Sequence, residues 1–145
     1  MQIRPVRSTD AQAVNALLAQ LGYPQDDLAS TAARLQGWAD DPTAAAFVAD
    51  GEHGLLGVIA VHIYPFFQLE GTSARIIALV VSEQARGQGI GSCLVAAAET
   101  FAVDRGCLRM EVTSADHRQA AHTFYENRGY ANQSGTSSRF LRDLK

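Results

Sequence analysis

The chain has 145 residues, 47% of them apolar, and a net charge of −3. That length suits a single domain over residues 1–145, able to hide roughly 70% of its unfolded surface without a disulfide or metal staple. The acidic balance argues against a nucleic-acid partner and suits a cationic substrate such as an amine. No apolar run is long enough for a membrane span, and the N-terminus MQIRPVRSTD lacks a signal-peptide core, so a cytoplasmic location is expected.

Gln2 to Arg7 reads as a short first strand, and Pro5 confines it to a sheet edge. Ser8, Thr9 and Asp10 offer a helix cap. Val14, Leu17, Leu18 and Leu21 then recur at helical spacing until Gly22. After a turn over 23–27, a second helix is expected from about Leu28 to Asp40, with Leu28, Ala32, Leu35 and Trp38 on one face. Asp26 and Asp27 either cap that helix or meet a cation. Ala44 to Ala49 and Leu55 to Tyr64 read as strands joined by a hairpin turn over 50–54. Tyr64, Phe66 and Phe67 either line a pocket or fill core. Gly71-Thr72-Ser73 is a further turn.

The stretch from Ala74 to Arg105 organises the rest. ARIIALVV is a short apolar run suited to a buried strand. SEQARGQGIG follows, with Gly87, Gly89 and Gly91 at alternate positions. Ile90, Leu94, Val95, Ala98, Phe101 and Ala102 then keep helical spacing, closed by Arg105 and a left-handed Gly106. A helix N-terminus presents unpaired N–H groups and the positive end of its dipole, so an anion fits there. Glycines let a phosphate approach the backbone, and Arg86 adds charge at the mouth. The alternative is a plain strand-to-helix turn with glycines for geometry alone. A P-loop is not present, because no lysine follows the glycines. The dinucleotide fingerprint also fits poorly, since its third glycine would come one residue early.

Leu108 to Thr113 reads as a strand with Met110 and Val112 facing one way and Arg109, Glu111 and Thr113 the other. A loop over 114–117, a helix from Gln119 to Arg128 stopped by Gly129, and a last strand from Thr136 to Leu144 complete the chain. The order β-α-α-β-β-β-α-β-α-β is an α/β architecture with a mixed central sheet flanked by helices. Cys93 and Cys107 suggest no disulfide framework. His53, His62, His117 and His122 show no metal spacing, so no metal is expected.

Two segments carry a family resemblance. Arg86-Gly87-Gln88-Gly89-Ile90-Gly91 matches the signature Arg/Gln-x-x-Gly-x-Gly/Ala. Ala121, Phe124, Tyr125, Glu126 and Gly129 match Asn-x-x-Ala-x-x-Phe-Tyr-Glu-x-x-Gly-Phe, with Arg118 in place of the asparagine. In both, and along most of its length, the chain resembles the GNAT family of N-acetyltransferases. The resemblance implies acetyl-coenzyme A as cosubstrate and direct attack, through a tetrahedral intermediate, by a primary amine of a small molecule, a protein N-terminus or a lysine. It implies that the loop from Arg86 to Ser92 (Arg86, Gly87, Gln88, Gly89, Ile90, Gly91 and Ser92) holds the pyrophosphate. It also implies a bulge near Leu79 and Val80 and a splay of the central strand, so that Leu79, Val80 and Val81 offer backbone groups to the pantetheine arm.

Tyr125 takes the acid's part in the resemblance. With an ordinary pKa of about 10, a tyrosine is protonated at neutral pH and comparable to a leaving thiol. The alternative is a packing aromatic beside Phe124. Many relatives carry a glutamate where this chain has Ile77, so that base is missing. Glu111 is the first substitute and His122 the second, each with a structural polar role as its alternative, and a base reached through water is equally open. Dimerisation is common in the family. Two rival readings are a non-catalytic acyl-coenzyme A sensor, which would keep the loop without needing Tyr125, and a nucleotide-binding interaction domain.

Overall fold

The computed structural model describes residues 1–114 and 118–145. They fall into two compact units, Met1–Val112 and Thr113–Lys145. The first holds a five-stranded sheet in the order β1 (Gln2–Pro5), β2 (Ala44–Gly51), β3 (Gly54–Pro65), β4 (Thr72–Val81), β5 (Arg109–Val112). Neighbouring strands run antiparallel except β4 and β5, which are parallel. Pro5 lies on the edge strand, as its missing N–H requires. Helices α1 (Ala11–Leu21), α2 (Leu28–Asp40) and α3 (Ile90–Asp104) complete the unit.

The alternation of each strand separates two cores. Val48, Val58 and Val80 share one register row and pack with Val14, Leu17 and Leu35 of α1 and α2. The next row, Phe47, Ile59 and Leu79, faces the other way. There α3 buries Ile90, Leu94, Val95, Ala98 and Phe101, and the Phe101 ring meets Phe47 edge-on. A residue apart is a face apart, so one strand feeds both cores.

The helix starts differ from expectation in detail. A short 3₁₀ turn, Ser8–Asp10, precedes α1, and neither Ser8 nor Thr9 caps it. Asp10 stands at the N-cap position of α1, and its side chain closes the 3₁₀ turn instead: its Oδ2 accepts from the Arg7 amide at 2.8 Å. Asp10 also takes a two-point contact from Arg4, Nη2 to Oδ1 at 2.8 Å and Nη1 to Oδ2 at 3.0 Å. Arg4 Nε reaches Asp50 Oδ2 at 2.9 Å. This network pins β1, the start of α1 and the end of β2. The hydrogen bond from Arg4 holds the Asp10 carboxyl below the usual carboxylate range, against the opposite push of burial. Asp27 caps α2, accepting from the Ala29 and Ser30 amides. The buried face of α2 is Thr31 and Leu35, whereas Leu28 is exposed in the first turn.

The second unit contains α4 (Gln119–Asn127), followed by a left-handed Gly129. The strand expected over 136–144 is not formed. Phe140, Leu141 and Leu144 are 94%, 73% and 87% exposed. A strand would send Leu141 to one face and Phe140 and Leu144 to the other with Arg142 between them, so no continuous apolar face holds the segment to a sheet. Of the loop expected over 114–117, residues 115–117 lie outside the described residues.

Candidate active site

The end of β4 and the loop after it form one continuous surface. β5 pairs with β4 only from Ser73 to Ile76. Past Ile76 the groups of β4 that point away from β3 meet no further strand among the described residues. A free strand edge of this kind can pair with an extended ligand as if it were another strand. Leu79, Val80 and Val81 lie on it; Val80 is buried in the core under α1 and α2, while Leu79 and Val81 are half-buried. The bulge falls at Ile77, not at Leu79 and Val80 as the resemblance implied: Ala60 pairs with Ala78 and Val61 with Ile76, which leaves Ile77 as the extra residue. Antiparallel pairing with β3 is regular again from Ala78 onward, so the irregularity is spent before Leu79 is reached.

The loop is anchored where it leaves the sheet. The Ser82 amide donates to Leu56 O at 2.7 Å, and the Glu83 amide to Gln20 Oε1 of α1 at 2.9 Å. A 3₁₀ turn over Glu83–Ala85 follows, with Ala85 buried. Arg86 is exposed and its Nε donates back to Val81 O at 3.4 Å. Gly87 and Gly89 take φ of 80° and 79°, a left-handed conformation that side chains disfavour. A Cβ built at either would meet no other atom within 4 Å, so the space in front of the loop is open. Gly89 is the N-cap of α3, and among the described residues no side chain caps that helix. Ile90 turns into the core while Gly91 and Ser92 continue the first turn. The N–H groups of that turn have no intrahelical acceptor by geometry. The cradle therefore fits a pyrophosphate: open space, unblocked backbone donors, the positive helix end and Arg86 beside it.

Glu111 enters a separate cluster, formed by neighbouring strands. Tyr64 Oη donates to its Oε1 at 2.7 Å, and Arg75 Nη1 stands 3.8 Å from the same oxygen. Burial pushes the Tyr64 hydroxyl pKa up; a hydrogen bond with Ser73 works against that, and the Glu111 carboxylate works with it. The register explains the grouping, since Arg75 pairs with Glu111, and Tyr64 pairs with Ser73 two rows along and so on the same face. Arg75 was not among the residues singled out from the sequence. Its signal was there, as the sole charge in the run Ala74 to Val81.

In the second unit, Tyr125 lies on α4 one turn after His122. Its ring packs edge-on against Phe124 and Tyr130, with centroids 5.2 and 5.7 Å away. Burial raises its hydroxyl pKa, and Arg118 opposes the rise. The phenol is thus held more firmly in its protonated form.

Two shallow grooves lie elsewhere. One, of about 410 Å³, runs between β1, β2 and α3 past Ile3, Phe47 and Phe101. The other, of about 380 Å³, lies between α2 and His62, with Trp38 and Asp41 in its wall. Neither includes the glycine loop.

A family model described as the acetyltransferase (GNAT) family matches residues 12–130. An uncharacterized N-acetyltransferase of Bacillus subtilis, YhfO, is 27% identical over 140 residues, covering 93% of each chain. A putative acetyltransferase from Agrobacterium tumefaciens superimposes with a TM-score of 0.86 at 22% identity, covering 99% of this chain and 100% of its own. A protein from Bacillus halodurans described as a transcriptional regulator gives a TM-score of 0.86 at 24% identity, covering 98% and 99%. The two solved structures share the α/β fold with its mixed sheet.

Proposed function

The chain belongs to the acetyltransferase (GNAT) family, and on that premise we propose that it is an N-acetyltransferase moving an acetyl group from acetyl-coenzyme A to a primary amine. The acceptor is a small molecule, a protein N-terminus or a lysine. One observation carries the reading: the first turn of α3 is opened by two left-handed glycines and, among the described residues, capped by no side chain. Family membership supports both units acting as one domain, because the matched residues 12–130 run across the boundary between them.

Acetyl-coenzyme A, when bound, supplies an activated thioester. In this reading the amides from Arg86 to Ser92 and the Arg86 guanidinium hold its pyrophosphate, and Leu79, Val80 and Val81 offer main-chain groups to its arm. N–H groups of the unpaired β4 edge also serve as donors to an oxygen that gains negative charge. The amine must lose a proton, since an alkylamine of pKa near 10 is neutral in only about one molecule per thousand at pH 7. Glu111 takes that proton, directly or through water. Tyr125 returns one to the departing thiolate, and burial keeps its hydroxyl protonated for that role.

Thiol release from acetyl-coenzyme A over a panel of amines tests this. Release that depends on an amine is expected, along with coenzyme A retained by the purified protein. Tight coenzyme A binding without release on any amine would instead establish an acyl-coenzyme A sensor, and retention of ATP or NAD without coenzyme A would establish a nucleotide-binding domain.

A further inference from the structure

Tyr64 and Glu111 lie on one sheet face with β4 between their strands. Tyr64 pairs with Ser73 of β4, and Glu111 pairs with Arg75 two residues along. The Tyr64 hydroxyl therefore reaches across a whole strand to Glu111. Its bond to Oε1, at 2.7 Å, has the length of a hydroxyl on an ionised carboxylate. Arg75 Nη1 stands farther off, 3.8 Å from the same oxygen, and Arg75 has contacts besides Glu111. Oε2 has no partner among the described residues, and the Glu111 side chain is 45% exposed. One carboxylate oxygen is held and the other is open. β5 stops pairing with β4 at Val112, one residue past Glu111. The carboxylate thus stands where the unpaired edge of β4 begins, the edge that carries Leu79, Val80 and Val81.

From this geometry we infer that Tyr64 is a positioning residue for the base: it holds Oε1 of Glu111 so that Oε2 faces the incoming amine. The inference rests on the acetyltransferase reading, with Glu111 as its base, and goes one residue beyond it. A glutamate at this position needs such a hold. Its last torsion is broad rather than staggered, so the carboxyl group swings freely when nothing ties it. A base must stand within about 2.6–3.2 Å of the nitrogen, or one water away, to take its proton. Tyrosine suits the anchor's part because it is rigid, with two side-chain torsions, and this one is rooted in a paired strand. Burial pushes the Tyr64 hydroxyl pKa up, so at neutral pH it stays a donor.

The test is a cycle of Tyr64→Phe and Glu111→Gln in the full-length protein, read by thiol release on the fastest amine of the panel. Tyr64→Phe keeps the ring and removes only the hydroxyl. It is expected to lower kcat about tenfold, part of what a general base contributes, with KM for the amine and coenzyme A affinity nearly unchanged. Glu111→Gln should lower kcat about a hundredfold or more. Because Tyr64 acts through Glu111, adding Tyr64→Phe to Glu111→Gln should cost no further turnover. A Tyr64→Phe protein that melts lower yet keeps its kcat overturns the inference, since the hydroxyl would then only support the fold. A loss that persists in full in the Glu111→Gln background also overturns it, because Tyr64 would then act on the substrate by itself. Glu111→Asp is a second check: it keeps the charge and draws the carboxylate one methylene back from Tyr64. Its kcat should fall about as far as that of Tyr64→Phe. Full turnover in Glu111→Asp overturns the inference, even if Tyr64→Phe does not fold. Full turnover in Glu111→Gln removes the base and this inference with it, while amine-dependent release by the unaltered protein keeps the transferase reading. No release on any amine by the unaltered protein removes both.

Discussion

The corner at Arg4 and the patch at Arg75 use the same chemistry to opposite ends. Each sets an arginine against a carboxylate on a neighbouring element. At the corner the side chains of Arg4 and Asp10 are 12% and 9% exposed, and three short charge-assisted bonds join Arg4 to Asp10 and Asp50. The guanidinium there is spoken for by its own chain, and its pKa rises accordingly. At the patch the pair is half in water and 3.8 Å apart. A buried pair with its bonds made holds elements together, and breaking it leaves a stranded charge. A half-exposed pair contributes little to folding. Burial, rather than residue type, separates the two arginine–carboxylate pairs of this sheet.

The sharpest way to break that contrast is Asp10→Ala. It leaves Arg4 with Asp50 as its one remaining carboxylate in a buried corner and is expected to cost about 3 kcal/mol of stability, read from urea denaturation at pH 7. Asp10 has a lowered pKa in the folded state, so its contribution is full above the ordinary value of 3.8 and is lost as pH falls through the lower folded value. In the variant that acid-side loss should shrink; an unaltered acid limb would remove the role given to Asp10.

Tyr125→Phe removes one hydroxyl and no charge. Turnover is expected to fall about a hundredfold with cofactor affinity nearly unchanged, in the range typical of a lost general acid. Unchanged turnover would withdraw the acid assignment. Gly89→Val places a branched side chain at φ 79° in front of the loop. Strain of about 1–2 kcal/mol is expected, together with roughly tenfold weaker coenzyme A binding, measured by calorimetry. Full affinity there would count against the cradle.

The smallest expected effect sharpens the contrast most. Glu111→Gln at the patch should change stability by under about 1 kcal/mol, because its partner is half-exposed and screened, yet lower turnover on every amine. A stability loss matching that of Asp10→Ala would make the patch another structural corner.

Much of the fold was written locally. Helical spacing and terminal glycines mark α1 and α3, the hairpin turn joins β2 to β3, and two motifs mark the family. The phosphate cradle was legible for the same reason, since strand, loop and helix are contiguous in the chain. The last strand misled because Phe140, Leu141 and Leu144 have β-like composition, yet Arg142 falls between Phe140 and Leu144 on one face and Leu141 points to the other. Arg75 escaped notice because a lone charge in an apolar strand has no meaning until its register partner is known.

The amino-acid sequence by itself settled most of the helices and strands and the glycine loop that opens α3, because those depend on neighbours within about one turn. Only the tertiary structure decided which charges are buried and which face water. Arg4 and Arg75 are the same residue type, each on a strand. What separates them is pairing between residues tens of positions apart, such as Arg4 with Asp50 and Tyr64 with Glu111, and whether a helix lies over that pairing.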